Sequence, residues 1–168
     1  MLAHSVNLSG GDFMSKVVNG RIILDKEERS KMENIQLEIL DKLKSKELKN
    51  YLSKLDINNA LVFGSIITDN FNEESDVDIA ILGTSKLTIK EILKLELFLE
   101  DLLERNIDVI DLNSDNLDIF IKIDILNDGK SIYTTDNNKF LEKFIEKVDW
   151  YYRENEYYFK CRRRELLS

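Results

Sequence analysis

The chain has 168 residues, of which 43% are hydrophobic and 33% charged, and its formal net charge is −8. These values are typical of one folded domain and exclude a largely disordered chain. Its single cysteine, Cys161, excludes an internal disulfide and a cysteine-based zinc site, which favours a reducing, cytoplasmic location. The only histidine, His4, lies near the N-terminus, so catalysis by a core histidine is not expected.

Negative charge is concentrated in the middle of the chain, where residues 61–136 contain seventeen acidic and only six basic residues. Such a surplus repels a nucleic-acid backbone and attracts divalent cations. Direct nucleic-acid binding is therefore not expected, although the basic sequence KCRRR near the C-terminus leaves it open. No membrane contact is expected either, since no stretch approaches the roughly 20 apolar residues of a membrane span. The first residues also lack the pattern of a secretory signal.

The first third of the chain predicts a hairpin followed by helices. Asn19-Gly20 stands between two β-branched runs, which predicts a tight hairpin within a leader spanning residues 1–24. Residues 25–56 have helical periodicity, with a break near Lys44-Ser45 where Ser45 is a suitable N-cap.

Strands and helices alternate after that point. NNALVFGS predicts a strand ending at Gly64, SDVDIAILG a second ending at Gly83, NIDVIDL a third and KSIYTT a fourth. A capping box at Thr88 predicts one intervening helix, and Ser114 or Asp115 is expected to cap another that stops at a left-handed Gly129. The pattern predicts an α/β (α+β) domain over residues 25–136, with a mixed sheet of three to five strands and helices on one face. Residues 137–168 predict one aromatic helix packed on the domain or on a partner.

Two aspartates, Asp76 and Asp78, stand in a segment that otherwise has the character of a buried strand. Strand alternation places both on one face, with Val77 and Ile79 on the other. Carboxylates about 7 Å apart on one face repel each other unless a cation bridges them. Oxygen donors without histidine or cysteine favour Mg²⁺, with Mn²⁺ as the alternative, over zinc.

A phosphate site is expected close to these aspartates. Mg²⁺ held by one or two carboxylates usually takes further ligands from water and substrate phosphates. Gly64 lets the backbone approach a phosphate closely, and the Ser65 hydroxyl adds a donor, although Ser65 could equally be a helix N-cap. The pattern therefore predicts a metal-bound nucleoside triphosphate at this point.

These residues carry a family resemblance. Gly64-Ser65, ten intervening residues and Asp76-Val77-Asp78 match the GS-x10-DxD signature, so the chain resembles the polymerase-β-like nucleotidyltransferase superfamily. The flanking strands ALVFG and IAILG resemble that family as well. Among its branches the short chain is most similar to the minimal nucleotidyltransferases (MNT), many of which are antitoxins paired with HEPN-domain ribonuclease toxins. The similarity covers about residues 58–135.

The resemblance implies a third carboxylate on the next strand, which completes a two-metal site. IDVIDL offers Asp108 and Asp111, which are three residues apart and so face opposite sides. Strand alternation and the family's acidic position early in this strand favour Asp108. Asp111 is interpreted as a turn or helix-leading residue.

The resemblance also implies roles and a partner. Asp76 and Asp78 would hold the nucleotide-bound Mg²⁺, while Asp108 would hold a second ion and help deprotonate the acceptor. Gly64 and Ser65 would position the phosphates of ATP. The implied reaction transfers AMP from ATP to a hydroxyl of a partner protein, a HEPN toxin tyrosine, which would make the chain an antitoxin.

One departure from the family pattern leaves alternatives open. MNT relatives often carry a basic residue and a glycine shortly after the GS pair, where this chain has Thr68 and Asp69. A phosphate-neutralising cation would then come from Lys122, Lys130 or the basic C-terminal cluster. The alternatives are a transferase for small molecules of the aminoglycoside type, and a binding module that neutralises a toxin by occlusion.

Overall fold

The computed structural model describes residues 16–18, 21–23 and 25–167. Two short strands, β1 and β2, form an antiparallel pair, and a second sheet of four strands is combined with six helices within these residues. The strands are β1 Lys16–Val18, β2 Arg21–Ile23, β3 Asn59–Phe63, β4 Val77–Leu82, β5 Ile107–Asp111 and β6 Lys130–Thr134. The helices are α1 Lys26–Leu43, α2 Lys46–Ser53, α3 Ile89–Leu103, α4 Ile119–Asp128, α5 Lys139–Glu154 and α6 Glu156–Leu167, with a 3₁₀ turn over Gly64–Ile67.

The local signals in the first half are confirmed. The predicted hairpin is present as the β1–β2 pair, while its turn residues Asn19 and Gly20 and the rest of the leader lie outside the described residues. The Ser45 side chain accepts a hydrogen bond from Leu48 N and begins α2, which breaks the long helical region as predicted. Thr88 and Glu91 form the expected capping box at the start of α3.

The four-stranded sheet has the order β5-β4-β3-β6. Strand β3 is antiparallel to both β4 and β6, and β4 is parallel to β5 because α3 carries the chain back across the sheet. The predicted α/β class and mixed sheet are therefore confirmed.

Helices cover both faces of this sheet, whereas the sequence predicted helices on one face. Val77, Ile79 and Ile81 belong to the larger core cluster, which α1, α2 and α3 cover. On the opposite face, Ala80 and Leu82 pack in a smaller cluster with residues of α4 and α5. The smaller cluster packs on Ala80 and Leu82, in the C-terminal half of β4. Asp78 lies on the same face, in the N-terminal half of the strand.

The C-terminal region forms two helices where the sequence predicts one. The first helix ends at its C-cap residue Asn155, whose side-chain amide donates to the Tyr151 carbonyl at 2.9 Å. The break lets α6 fold back so that the Phe159 ring stacks on Tyr152 with 5.7 Å between centroids, and Phe159 becomes buried. Several aromatic side chains stay exposed, among them Trp150 at 64% and Tyr157 at 83%, and a partner contact through them stays a prediction.

Two expectations about α4 are wrong. Its N-cap is Asp118, whose carboxylate accepts from Phe120 N at 2.8 Å, instead of Ser114 or Asp115. Gly129 has extended backbone angles, because β6 begins at the very next residue and leaves no room for a left-handed turn. Among the described residues, no helix combines the length and the apolar character that crossing a membrane requires.

Candidate active site

Asp78 lies where three strands meet at one end of the sheet. It is the second residue of β4, and its cross-strand partners are Phe63, the last residue of β3, and Asp108, the second residue of β5. Adjacent strands are about 4.8 Å apart, and paired residues face the same side. The strand register therefore brings two of the three predicted carboxylates together. Asp78 is half-buried, and Asp108 is exposed.

Asp76 lies just before β4 begins and not inside the strand as the sequence suggested. Its side chain is exposed. It is two residues from Asp78, and its carboxylate acts electrostatically on the Asp78 carboxyl. All three predicted carboxylates thus lie at the same end of the sheet.

Gly64 makes the closest backbone approach to these carboxylates. Its φ of 78° is in the left-handed region, which glycine adopts without steric cost. A Cβ atom at this position would lie 2.3 Å from Asp78 Oδ2, so only glycine leaves room for that carboxylate. The identity of residue 64 therefore follows from both its backbone angle and its neighbour.

Ser65 lies inside the 3₁₀ turn, whose N-cap is Phe63, so the N-cap interpretation of Ser65 is wrong. Its backbone carbonyl accepts hydrogen bonds from Thr68 N and Thr68 Oγ1, both at 2.9 Å. From α1, the Gln36 amide donates to the carbonyls of Ile66 at 3.1 Å and Thr68 at 2.8 Å. The short turn is thus braced from its own end and from a helix about thirty residues earlier.

The two aspartates of β5 have different surroundings. Asp111 is buried, and its carboxylate accepts from Leu87 N at 2.8 Å and from Asn113 N at 2.9 Å. Asp111 is the last residue of β5 and not a turn or helix-leading residue, and its bonds tie the loop before α3 and the loop after β5 to the sheet. Asp108, on the other face and beside Asp78, is the one positioned to share a ligand with Asp78.

The electrostatic state of Asp78 reflects this crowding. Burial raises the pKa of its carboxyl above the ordinary value of 3.8, and the carboxylates of Asp108 and Asp76 raise it further. Within the part of the chain that the structure describes, no ion pair involves any of these three aspartates. The site is therefore a cluster of like charges that a cation would relieve.

Burial of the Asp78 carboxyl, together with repulsion by its neighbours, predicts that Asp78→Asn stabilises the metal-free protein at pH 7. The pKa of the Asp78 carboxyl is higher in the folded than in the unfolded state. The carboxyl therefore stabilises the fold fully only at a pH below its unfolded-state pKa, and this contribution is lost as the pH rises through its folded-state pKa. Relief of a cross-strand like-charge pair is expected to raise Tm by about 1–3 °C at pH 7 and by nothing near pH 3. Thermal unfolding in a chelator at both pH values measures this. Asp101→Asn, an exposed charge on α3, is the control, and a Tm for Asp78→Asn at or below that of wild type would contradict the prediction.

The site residues fit a hard divalent cation in the chemistry of their donors. All donors are carboxylate oxygens, as Mg²⁺ and Mn²⁺ prefer, and Asp108 and Asp76 lie close enough to Asp78 to raise the pKa of its carboxyl beyond the effect of burial. As the side chains stand, no three acidic, histidine or cysteine groups of residues 16–18, 21–23 and 25–167 are arranged to hold an ion. Sharing one ion would therefore require the three carboxylates to turn toward it.

The suggested sources of a phosphate-binding cation lie in different places. Lys130 opens β6 opposite Val62, at the same end of the sheet as Gly64, and is exposed. The Lys122 ammonium lies 6.0 Å from the centre of the Phe144 ring, and Arg162 pairs with Asp118 at 3.8 Å. Val62 packs on the face that α1, α2 and α3 cover, so its cross-strand partner Lys130 faces away from Asp78, and the strand register favours none of the three.

A mixed sheet with paired aspartates beside a Gly-Ser turn is the arrangement of a nucleotidyltransferase. The family model described as "Polymerase beta, Nucleotidyltransferase" matches residues 46–138, more than half of the chain. The chain belongs to this family, and the predicted resemblance is confirmed. A comparison with curated proteins found no match.

Solved structures of toxin–antitoxin systems have the same fold. A toxin–antitoxin structure with AMP-PNP matches with a TM-score of 0.61 at 20% identity, covering 74% of this chain and 100% of that one. A chain of the toxin–antitoxin MntA-HepT matches at 0.57 and 19% identity, covering 75% and 98%. A chain from tri-AMPylated Shewanella oneidensis HEPN toxin in complex with MNT antitoxin matches at 0.58 and 18%, covering 79% and 99%.

Proposed function

We propose that this chain transfers AMP from ATP to a hydroxyl group of a partner protein, a HEPN toxin tyrosine, and so acts as an antitoxin. The observation that carries the proposal is the pairing of Asp78 with Asp108 beside Gly64 in a member of the nucleotidyltransferase family. The similar solved chains come from complexes of toxins with antitoxins, one with AMP-PNP and one with an AMPylated toxin. A cytoplasmic location is part of the proposal.

Each residue of the site has a role in this reaction. Asp76, Asp78 and Asp108 would hold two Mg²⁺ ions, which when bound neutralise the triphosphate and activate the acceptor hydroxyl. Gly64 N–H and Ser65 Oγ–H would donate to the β- and γ-phosphates.

The transfer itself is an in-line displacement at the α-phosphorus. The acceptor oxygen forms a bond to the α-phosphorus while the bond from that phosphorus to the β-phosphate oxygen breaks, and pyrophosphate leaves. Asp108 Oδ accepts the hydroxyl proton, which then passes to solvent. The acceptor gains one AMP group, and no oxidant or reductant is needed.

Labelled ATP tests this proposal in a lysate of the source cell. With Mg²⁺ and ATP labelled at the α-phosphate, we expect one labelled protein band with wild type and none with the Asp76→Asn/Asp78→Asn double variant. With ATP labelled at the γ-phosphate the band should be absent, because that label leaves in pyrophosphate. A band from the γ-label would indicate phosphorylation, and no band from either label would contradict protein modification.

Occlusion of the toxin without chemistry is the second candidate. It is favoured by the loop after Gly64, where Thr68 and Asp69 stand instead of a basic residue and a glycine, and where the Thr68 hydroxyl bonds to the Ser65 carbonyl and to Asn70 N of the same loop. All three carboxylates persist, however, and a module that acts by occlusion alone has no need of them. Pyrophosphate release by wild type separates the two candidates, and the identity of the acceptor separates a protein substrate from a small aminoglycoside-type molecule.

A further inference from the structure

Arg105, between α3 and β5, reaches across to the loop that leads into β4. Its Nη1 donates to the Ser75 carbonyl at 2.9 Å and to the Asn72 carbonyl at 3.3 Å. Its guanidinium carbon lies 4.7 Å from the centre of the Phe71 ring, and Phe71 is only 2% exposed. The side chain is thus held by a cation–π contact while it donates to two backbone carbonyls.

The two carbonyls belong to the ends of one closed turn. Ser75 N donates to the Asn72 carbonyl at 3.1 Å, and Asn72 N donates to Ser75 Oγ at 3.0 Å. Glu74 N also donates to Asn72 Oδ1 at 2.9 Å. Arg105 therefore binds a small rigid unit, and Asp76 is the first residue after that unit.

The contacts continue on the other side of Asp76. Val77 N donates to the carbonyl of Asn106, the residue after Arg105, at 3.0 Å. From there the β4–β5 ladder begins, and its second pair is Asp78 with Asp108. The residues on either side of Asp76 are therefore both held: Ser75 by the side chain of Arg105, and Val77 by the backbone of Asn106. The Arg105 side chain thus continues the β4–β5 pairing one residue beyond the backbone ladder.

We propose that Arg105 is a positioning residue that holds Asp76 in register with Asp78 and Asp108 at the metal site. The inference rests on the proposed function, since it takes Asp76 to be a metal ligand. The guanidinium acts through the Ser75 carbonyl and does not touch the substrate. Groups that orient a metal ligand in this way typically change metal affinity by about 10–100-fold when removed.

The test compares Mn²⁺ binding by Arg105→Gln and by Arg153→Gln, with Mn²⁺ and AMP-PNP as probes and free Mn²⁺ counted by electron paramagnetic resonance. Arg153 is an exposed arginine on α5 that pairs with Asp149, so the control loses the same charge on a remote surface. We expect Arg105→Gln to raise the Kd for Mn²⁺ about 10-fold and the control to stay within about twofold. Hydrogen exchange in metal-free Arg105→Gln should be faster at the amides of residues 75 and 76.

Arg105→Lys separates geometry from charge. Lysine keeps the positive charge but lacks the planar guanidinium that lies over the Phe71 ring while its Nη1 donates to both carbonyls, so Mn²⁺ affinity should stay reduced. Full recovery with lysine would overturn the inference, because charge alone would then suffice. The inference would also be overturned if Arg105→Gln lowered Tm but left the Mn²⁺ affinity of the folded protein unchanged. Arg105 would then stabilise only the fold.

Failure of this inference and failure of the proposed function give different results. If wild type transfers AMP and Arg105→Gln binds Mn²⁺ as wild type does, the function stands and the role of Arg105 is wrong. If wild type binds Mn²⁺ but transfers nothing, while Arg105→Gln binds Mn²⁺ about 10-fold more weakly, the function is wrong and the role of Arg105 stands. A wild-type protein that binds no Mn²⁺ would overturn both.

Discussion

Asp78→Asn is expected to lower the rate of AMP transfer by about 10³-fold, because the amide removes a charged oxygen ligand from the centre of the site. Asp78 lies between Asp108, its cross-strand partner, and Asp76, two residues earlier, so its loss removes the central member of the proposed ligand set. Steady-state release of pyrophosphate at saturating Mg²⁺ and ATP measures the effect. The same variant is expected to be more thermostable than wild type without metal, so misfolding cannot explain the loss.

Two controls make this result specific to the carboxylate cluster. Asp101→Asn removes an exposed charge from α3, on the opposite face of the sheet, and should keep transfer within about twofold of wild type. Asp111→Asn weakens the bonds to Leu87 N and Asn113 N, so it should lower Tm but leave transfer per folded molecule nearly intact. If Asp78→Asn transferred AMP at more than a tenth of the wild-type rate, the assignment of Asp78 would be wrong.

Gly64→Ala is expected to have the second-largest effect. The added Cβ would lie 2.3 Å from Asp78 Oδ2, so the carboxylate must move away from its present position. An L-residue at φ 78° also carries a backbone cost of roughly 1–2 kcal/mol. We expect a Tm lower by about 2–8 °C and a rate of transfer lower by at least about 10²-fold, measured by thermal unfolding and pyrophosphate release.

The neighbouring Ser65→Ala variant is the matched control for Gly64→Ala. It removes one hydroxyl donor and introduces no new atom near Asp78, so its loss of transfer should be about tenfold and its Tm nearly unchanged. If the loss of AMP transfer by Gly64→Ala were explained entirely by the fraction of unfolded protein, the predicted displacement of the carboxylate would be contradicted. Equal losses by the two variants would do the same.

Much of the fold could be predicted because its signals are local. The Ser45 cap, the Thr88 capping box and the alternation of side chains between the two faces of β4 each depend on a few adjacent residues, and all agree with the structure. The error at the C-terminus has a cause that is not local. Asn155 breaks the terminal helix because Phe159 can stack back on Tyr152, and that contact between two helices has no signature in the helical period.

The candidate site was predictable only for residues that lie close together in the sequence or whose face follows from strand alternation. Asp76, Asp78 and Gly64 lie close together in the sequence, and Asp108 could be chosen over Asp111 because strand alternation separates their faces. Gln36 and Arg105 were missed, since each acts on backbone carbonyls about thirty residues away. A glutamine in an amphipathic helix and an arginine after a helix have the pattern of ordinary surface residues, so no signal in the sequence indicates them.

The most direct test of the central claim is the intact mass of purified HEPN partner protein after incubation with this chain, ATP and Mg²⁺. The account predicts a mass increase of one or more whole AMP groups on a tyrosine, lost with Asp78→Asn or with a chelator in place of Mg²⁺. A partner that stays at its original mass, yet is inhibited in a stable complex with this chain, would contradict AMP transfer and favour neutralisation by occlusion.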